Sequence, residues 1–264
     1  MIDVHCHLNF KEFANDYDEV IKQAFEAGVT KIINVGTKID SSQRAVELAK
    51  EYENLYAIVG VHPHHADEIE DGWEKELEKL AKDAKVVAIG ECGMDYYRYK
   101  SNGIVDPKLQ RNVFIKQIEL AQKLKLPLQI HNRHAGKDIL EILNHHKSDL
   151  LDPPGMFHCM SGDLDFLKKV LDLGFYVGFD GNITYQGIAP GETVELRELI
   201  RMAPLDRIVT ETDSPFLAPE PHRGGRCVPS YVIIVGRFIA ETKVVSFETV
   251  VARTSENAKT LFGL

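Results

Sequence analysis

Eight short runs of apolar and β-branched residues recur along this chain of 264 residues and alternate with stretches of helical periodicity. The runs cover residues 1–7, 31–36, 55–62, 85–91, 126–131, 155–158, 175–179 and 207–213. Strands that alternate with helices over short links predict a parallel sheet with helices packed on it. Eight such units predict an α/β fold, a TIM-type (β/α)8 barrel in which residues 1–264 form a single domain.

The stretches between the runs carry helix signals. The clearest amphipathic stretches are residues 19–27, 41–53, 109–124 and 164–173. Gly28 and Gly174 each follow such a stretch and precede a strand, which is where a glycine commonly ends a helix. A doubly wound open sheet is the alternative arrangement of the same elements.

Side chains that can bind metal stand at the ends of most strand runs. The first run ends with His5 and His7 on either side of Cys6. Residues two apart on a strand share a face, so the two imidazoles would project side by side. Four other runs end in a further candidate ligand: Glu91, His131, His158 and Asp213. Because a barrel gathers the carboxyl ends of its strands at one face, these six residues predict a two-metal hydrolytic site there.

Charge and hydropathy restrict the class of protein. The net charge of −9 argues against broad, non-specific affinity for nucleic acid, although it permits a local phosphate site beside divalent ions. No apolar stretch approaches the roughly 20 residues of a membrane helix. A first candidate ligand at residue 5 leaves no room for a signal peptide. We therefore expect a cytoplasmic protein with no membrane partner, and we see no sign of an obligate protein partner.

The four cysteines include no Cys-x-x-Cys pair. Cys6, Cys92 and Cys159 each directly follow a candidate ligand. If the ligands face the barrel interior, these cysteines face outward toward the helices as small apolar groups. We expect free thiols rather than a disulfide framework, and thiolate ligation of metal is the alternative.

Seven motifs follow one another in the chain in an order typical of one family. They are HCH (5–7), GVHPHHA (60–66), IGECGMDYYR (89–98), IHNRHA (130–135), FHCMSG (157–162), ETDSPFLAP (211–219) and PHRG (221–224). With these motifs, and SENAKTLF at 255–262, the chain closely resembles the TatD family of metal-dependent deoxyribonucleases, in the amidohydrolase-like barrel superfamily. The resemblance implies that one divalent cation is held by His5, His7 and Asp213. It implies that a second is held by His131 and His158, with Glu91 as the bridge.

The ligand types are compatible with this resemblance. Imidazole and carboxylate suit zinc, magnesium or manganese, and the ligand set alone does not choose among them. A bridging carboxylate such as Glu91 can hold two cations roughly 3.5–4 Å apart, the spacing that serves phosphoryl transfer. Asp213 is the best candidate to accept a proton from the attacking water. Glu91 and Asp213 are therefore predicted to be catalytic.

Four residues are predicted to contact substrate. His62 ends the third strand run and is expected to bind phosphate, with a hydrogen-bonded structural histidine as the alternative. Arg133 is expected to clamp a phosphate through two hydrogen bonds, with an ordinary ion pair as the alternative. Asp95 and Tyr96 are expected to orient the site or to contact substrate rather than to bind metal.

Aromatic residues and one long loop are expected at the mouth of the barrel. Tyr96, Tyr97 and Phe216 are candidates to stack a terminal base. The Gly- and Pro-rich segment 214–230 is expected to form an active-site loop. Here Cys227 and Val228 stand where the family usually has Asn and Glu, so we expect loop anchoring and substrate preference to depart from the family pattern.

The leading interpretation is a metal-dependent phosphodiesterase, a deoxyribonuclease that trims single strands or ends of DNA through water activated by two metals. The first alternative keeps the site and changes the bond to an ester or amide, as in D-aminoacyl-tRNA deacylation, because fold does not fix function. The second alternative is a weakly catalytic, metal-binding interaction module.

Overall fold

The computed structural model describes residues 1–101 and 103–264. Eight parallel strands follow one another around a single sheet in sequence order. They are β1 (Ile2–Cys6), β2 (Lys31–Val35), β3 (Leu55–Val59), β4 (Val86–Asp95), β5 (Leu128–Arg133), β6 (Gly155–Phe157), β7 (Tyr176–Phe179) and β8 (Ile208–Thr210). A parallel bridge between Cys6 and Ser214 joins the first strand to the segment after the last. The sheet therefore closes, and the predicted TIM-type (β/α)8 barrel is confirmed.

In the described residues, eight α-helices each follow the strand of the same number, and a ninth lies at the carboxyl terminus. They are α1 (Tyr17–Glu26), α2 (Ile39–Glu51), α3 (Trp73–Ala81), α4 (Pro107–Leu124), α5 (Gly136–His145), α6 (Leu164–Asp172), α7 (Leu196–Met202), α8 (Val232–Lys243) and α9 (Phe247–Phe262). Helix α4 begins two residues before the predicted stretch because Asp106 caps it and Pro107 occupies its first position. In the described part of the chain, no helix combines the length and apolarity needed to cross a membrane.

The apolar core has two layers. One lies between the strands and the surrounding helices, and the other fills the barrel interior. Residues of α9, among them Leu261 and Phe262, join the interior layer. Asn257 on the same helix donates hydrogen bonds to the carbonyls of Leu205 and Ile208, at the start of β8. Helix α9 therefore lies at the amino-terminal end of the barrel, and the carboxyl end remains for the polar residues.

Strand β4 is longer than predicted and its path is irregular. Its pairing with β5 shifts register between Ile89 and Cys92, a β-bulge that can re-aim nearby side chains. Gly93 has φ of +139°, and a Cβ there would lie 2.1 Å from the carbonyl oxygen of His131. The close approach of β4 to β5 at this point therefore requires glycine. This close approach places Glu91 and Asp95 beside His131.

All four cysteines are free thiols. Cys6 and Cys92 are buried in the layer between strands and helices, as predicted. The prediction was wrong for Cys159, which lies beyond the end of β6 with φ of +47°. Strand alternation does not govern a residue in that turn. The Cys159 sulfur instead accepts a hydrogen bond from Nδ2 of Asn182, at 3.2 Å.

Candidate metal centre

The Glu91 carboxylate lies among five imidazoles at the carboxyl end of the barrel, four of them from predicted metal ligands and the fifth from His62. Its Oε1 lies 2.8 Å from Nδ1 of His131 and 3.2 Å from Nε2 of His158. Its Oε2 lies 3.6 Å from Nε2 of His5 and 3.9 Å from Nε2 of His7. Each oxygen thus faces a different pair of the four predicted histidine ligands. This is the arrangement expected of a carboxylate that bridges two cations.

Asp213 joins the group formed by His5 and His7. Its Oδ1 lies 3.5 Å from Nε2 of His5 and 3.3 Å from Nε2 of His7. The residue lies three positions beyond the end of β8, with φ of +53°, a left-handed conformation that Asp tolerates better than most residues. Its amide donates to the carbonyl of His5 at 2.9 Å. This turn, rather than the strand itself, brings the carboxylate to the imidazoles.

The donor set fits divalent cations better than it fits internal hydrogen bonding. His7 donates from Nδ1 to the carbonyl of Val35 at 2.9 Å, so in the neutral ring the Nε2 lone pair faces the cluster. Nδ1 of His131 lies close to Glu91 but makes no hydrogen bond of acceptable geometry. Separations near 3 Å between such acceptors match neighbouring ligands on an ion with bonds of about 2.0–2.2 Å. A cation between them would satisfy lone pairs that otherwise oppose one another.

Asp95 contacts His131 on the side away from Glu91. Its Oδ2 lies 3.2 Å from Nε2 of His131 and accepts a hydrogen bond from the Tyr99 hydroxyl at 2.7 Å. Burial would raise the pKa of Asp95, but hydrogen bonds from His131 and Tyr99 hold it at about 2. A carboxylate behind a ligating imidazole fixes the tautomer and leaves the other nitrogen free for metal. The contacts agree with the predicted orienting role, which stays a prediction.

We expect Asp95→Asn to weaken metal binding by roughly 10- to 100-fold, the usual cost of losing such an orienting carboxylate. Oδ2 of Asp95 contacts both His131 and Tyr99, and Oδ1 accepts from the Tyr97 amide, so the NH2 group of asparagine would face a donor whichever way the amide turns. Metal affinity would be measured by competition with a chromophoric chelator. The matched control is Asp138→Asn on α5, where the carboxylate accepts from Tyr96 and lies outside the cluster. Equal affinity in wild type and Asp95→Asn would contradict the orienting role.

Glu211 contacts His158 and was missed by the sequence analysis. It is fully buried, its Oε1 accepts a hydrogen bond from the Cys159 amide at 2.5 Å, and the same oxygen lies 3.5 Å from Nδ1 of His158. A Cβ at Gly178 would lie 2.6 Å from this oxygen, so the glycine in β7 makes room for the carboxylate. Burial raises the pKa of Glu211 against the opposing effect of His158. The sequence feature that could have identified Glu211 is its position two residues before Asp213.

Asp180 was also missed, although the strand-end rule applies to it. It directly follows β7 and is fully buried, and its Oδ1 accepts a hydrogen bond from the amide of Asn182 at 2.9 Å. Burial, together with the charges of Glu211 and Asp213, raises the pKa of Asp180 to about 7. The carboxyl end of β7 therefore contributes a carboxyl group to the same region of the barrel.

His62 has the geometry of a hydrogen-bond donor to the cluster. Its Nδ1 accepts a hydrogen bond from the amide of His64 at 3.0 Å, so the neutral ring carries its proton on Nε2. That nitrogen lies 3.5 Å from Oε1 of Glu91. Burial lowers the pKa of His62 to about 3, against the opposing effect of Glu91. A neutral imidazole that directs N–H toward the cluster suits the predicted phosphate contact better than metal ligation.

Arg133 and Tyr96 take different positions. The guanidinium of Arg133 lies 4.0 Å from the ring centroid of Tyr97 and donates to the Tyr99 hydroxyl at 3.3 Å. Within residues 1–101 and 103–264 no carboxylate lies in ion-pair range of it, so its charge remains available. The Tyr96 hydroxyl instead donates to Asp138 on α5, and its ring packs against the main core. The structure does not bring Tyr96 into the cluster.

The loop of residues 214–230 is anchored without the Asn and Glu of the family pattern. Cys227 is buried, and its amide donates to the carbonyl of Pro215 at 3.0 Å. Its thiol donates to the carbonyl of Thr212 at 3.7 Å. Arg226 forms two hydrogen bonds with the Asp16 carboxylate, at 3.0 and 2.6 Å. The loop is therefore held by a buried thiol and a bidentate ion pair.

Known proteins resemble this chain over its whole length. The sequence model of the family described as TatD related DNase matches residues 2–263. YabD of Bacillus subtilis, named as a metal-dependent hydrolase, is 38% identical over 263 residues, covering 99% of this chain and 98% of YabD. The 3'-5' ssDNA/RNA exonuclease TatD of Escherichia fergusonii is 31% identical over 268 residues, covering 100% of this chain and 99% of the relative.

A solved structure shares the same fold. The crystal structure of YjjV, a TatD homologue from Escherichia coli K12, has a TM-score of 0.89 and 29% sequence identity. The match covers 100% of this chain and 98% of YjjV. Together with the sequence matches, it confirms both the predicted family and the predicted class of metal-dependent hydrolase. The chain with this Glu91-centred cluster belongs to the TatD-related DNase family.

Proposed function

We propose that this protein is a phosphodiesterase, dependent on two divalent cations, that removes nucleotides from the ends of single-stranded DNA. The observation that carries the proposal is the Glu91 carboxylate, whose two oxygens face two separate groups of histidines. Cations held by these residues would supply Lewis-acid chemistry for the hydrolysis of a phosphodiester. The relative named as a 3'-5' ssDNA/RNA exonuclease supports a single strand as substrate.

The six residues divide between two cation positions. The first would be held by His5, His7 and Asp213, and the second by His131 and His158, with Glu91 shared. Asp213 is the carboxylate suited to accept a proton from water, because 15% of its side chain is exposed against 5% for Glu91. A base at the solvent edge of the cluster can return that proton to bulk water.

Phosphate recognition would depend on a few local donors. A protein of net charge −9 cannot rely on a long basic track along the nucleic acid. His62 directs Nε2–H into the cluster, and the unpaired guanidinium of Arg133 stands at the mouth. These two groups would orient the scissile phosphodiester and neutralise part of its charge.

The test is cleavage of end-labelled single- and double-stranded DNA by chelator-stripped protein, restored separately with magnesium, manganese and zinc. We expect a ladder from the single strand that requires added metal and disappears in Glu91→Gln. The product lengths with each label give the direction of cleavage. Cleavage that survives Glu91→Gln at the wild-type rate would contradict the proposed role of Glu91. No cleavage with any metal, together with hydrolysis of an acyl-tRNA ester, would overturn the phosphodiesterase proposal.

A further inference from the structure

Two aromatic side chains stand out for their exposure. In residues 1–101 and 103–264, Tyr97 is 41% exposed and Phe216 is 49% exposed, and every other Phe, Tyr and Trp residue is half-buried or buried. Exposed aromatic surface often marks a binding site. Tyr97 follows β4 and Phe216 follows β8, and these strands are four apart in a closed sheet of eight. The two rings therefore lie on opposite sides of the candidate metal centre, both at its open end.

Phe216 extends a row of rings that begins in the metal centre. Phe10 stacks on His7 with centroids 4.4 Å apart and an interplanar angle of 14°. Phe216 meets Phe10 edge to face at 6.2 Å, and its amide donates to the carbonyl of Asp213 at 2.8 Å. Among the described residues no cation stacks on Phe10 or Phe216. This side suits an uncharged, flat group close to the reacting phosphate.

Tyr97 stands in a different electrostatic setting. The guanidinium of Arg133 lies 4.0 Å from its ring centroid, and Tyr99 meets the ring edge to face at 4.9 Å. The Tyr97 amide donates to Asp95 at 2.8 Å, so the backbone here is fixed to the residue that orients His131. A cation beside an aromatic ring can hold a base and the next phosphate together. This side suits a nucleotide joined to a longer strand.

We propose, on the basis of the function proposed above, that the two rings are nucleobase subsites on either side of the scissile phosphodiester. Phe216 stacks the base of the terminal nucleotide that is released. Tyr97 stacks the base of the next nucleotide in the retained strand, beside the scissile phosphate that Arg133 contacts. Both bases must be unpaired and splayed apart, so the substrate class is a single strand of at least two nucleotides. Recognition by stacking gives little preference among the four bases.

The experiment combines substrates that lack one base with protein variants that lack one aromatic ring. Metal-loaded protein would cleave labelled single strands that carry an abasic tetrahydrofuran unit at the terminal or at the penultimate position. In wild type, omission of either base should lower kcat/KM by roughly 5- to 150-fold, the range for one base stacked on one aromatic ring. In Phe216→Ala, the effect of the terminal base should disappear while the penultimate effect remains. In Tyr97→Ala, the reverse should hold.

Met202→Ala is the control, because Met202 is 63% exposed at the end of α7 just before β8 begins, on the opposite face of the barrel. It should keep both base effects. Anisotropy of the same labelled strands, measured in an Asp213→Asn background, should repeat the pattern in Kd. Base effects that persist in both ring variants, or that exchange between them, would overturn the two-subsite proposal. A wild-type protein that cleaves none of the strands would contradict the proposed function itself.

Discussion

Glu91→Gln is expected to lower kcat/KM for phosphodiester cleavage by about 10³- to 10⁴-fold, because metal ions contribute several kcal/mol to stabilising the transition state and this residue would bridge them. Glutamine keeps the shape of the side chain but loses its charge. Its amide nitrogen would face either His131 and His158 or His5 and His7 as a donor. One cation position would therefore lose an anionic ligand whichever way the amide turns.

The low pKa of Glu91 supports a fully charged bridge. Burial would raise the pKa of its carboxyl, but neighbouring imidazoles, led by His62 and His158, hold it well below its ordinary value. Steady-state cleavage of a single strand would be compared with that of Glu119→Gln, an exposed glutamate on α4 that pairs with Lys116. The control should match wild type. A Glu91→Gln protein that keeps more than a tenth of wild-type kcat/KM would contradict the bridging role.

Asp213→Asn is expected to lower kcat by roughly 10²- to 10⁴-fold at saturating metal, the usual contribution of a general base. Asparagine is the informative replacement because it tolerates the left-handed backbone at φ of +53°, where alanine would add strain.

Asp172→Asn, on the exposed face of α6, provides the matched control for Asp213. It should keep wild-type kcat. Metal affinity measured in parallel separates loss of a ligand from loss of a base, because saturating metal restores only the first. An Asp213→Asn protein that keeps wild-type kcat at saturating metal would assign proton acceptance to another group.

The barrel and the cluster were predictable because they follow from local rules. Strand alternation pairs His5 with His7 from their spacing alone. Barrel closure then brings Glu91, His131 and His158 to the same face whatever the details of the loops. The polar ends of apolar runs were therefore sufficient to nominate these residues without any tertiary information.

Other features depended on contacts distant in sequence. Asp213 reaches the cluster through a left-handed turn beyond β8, and Cys159 leaves the strand pattern for a similar reason. The positive charge over the Tyr97 ring belongs to the guanidinium of Arg133, which lies on a different strand. Glu211 was missed because its neighbour Asp213 already accounted for that strand run. Asp180 directly follows an apolar strand run, so the rule that identified the other candidate ligands would have identified it as well.

The most direct test of the Glu91-centred cluster is its metal content. Wild type and Glu91→Gln would be dialysed to equilibrium against manganese or zinc and analysed by inductively coupled plasma mass spectrometry. We predict two tightly bound ions per wild-type chain and fewer than two in Glu91→Gln. A wild-type chain that holds one ion or none at saturating metal, or a variant that still holds two, would contradict the bridged two-cation site.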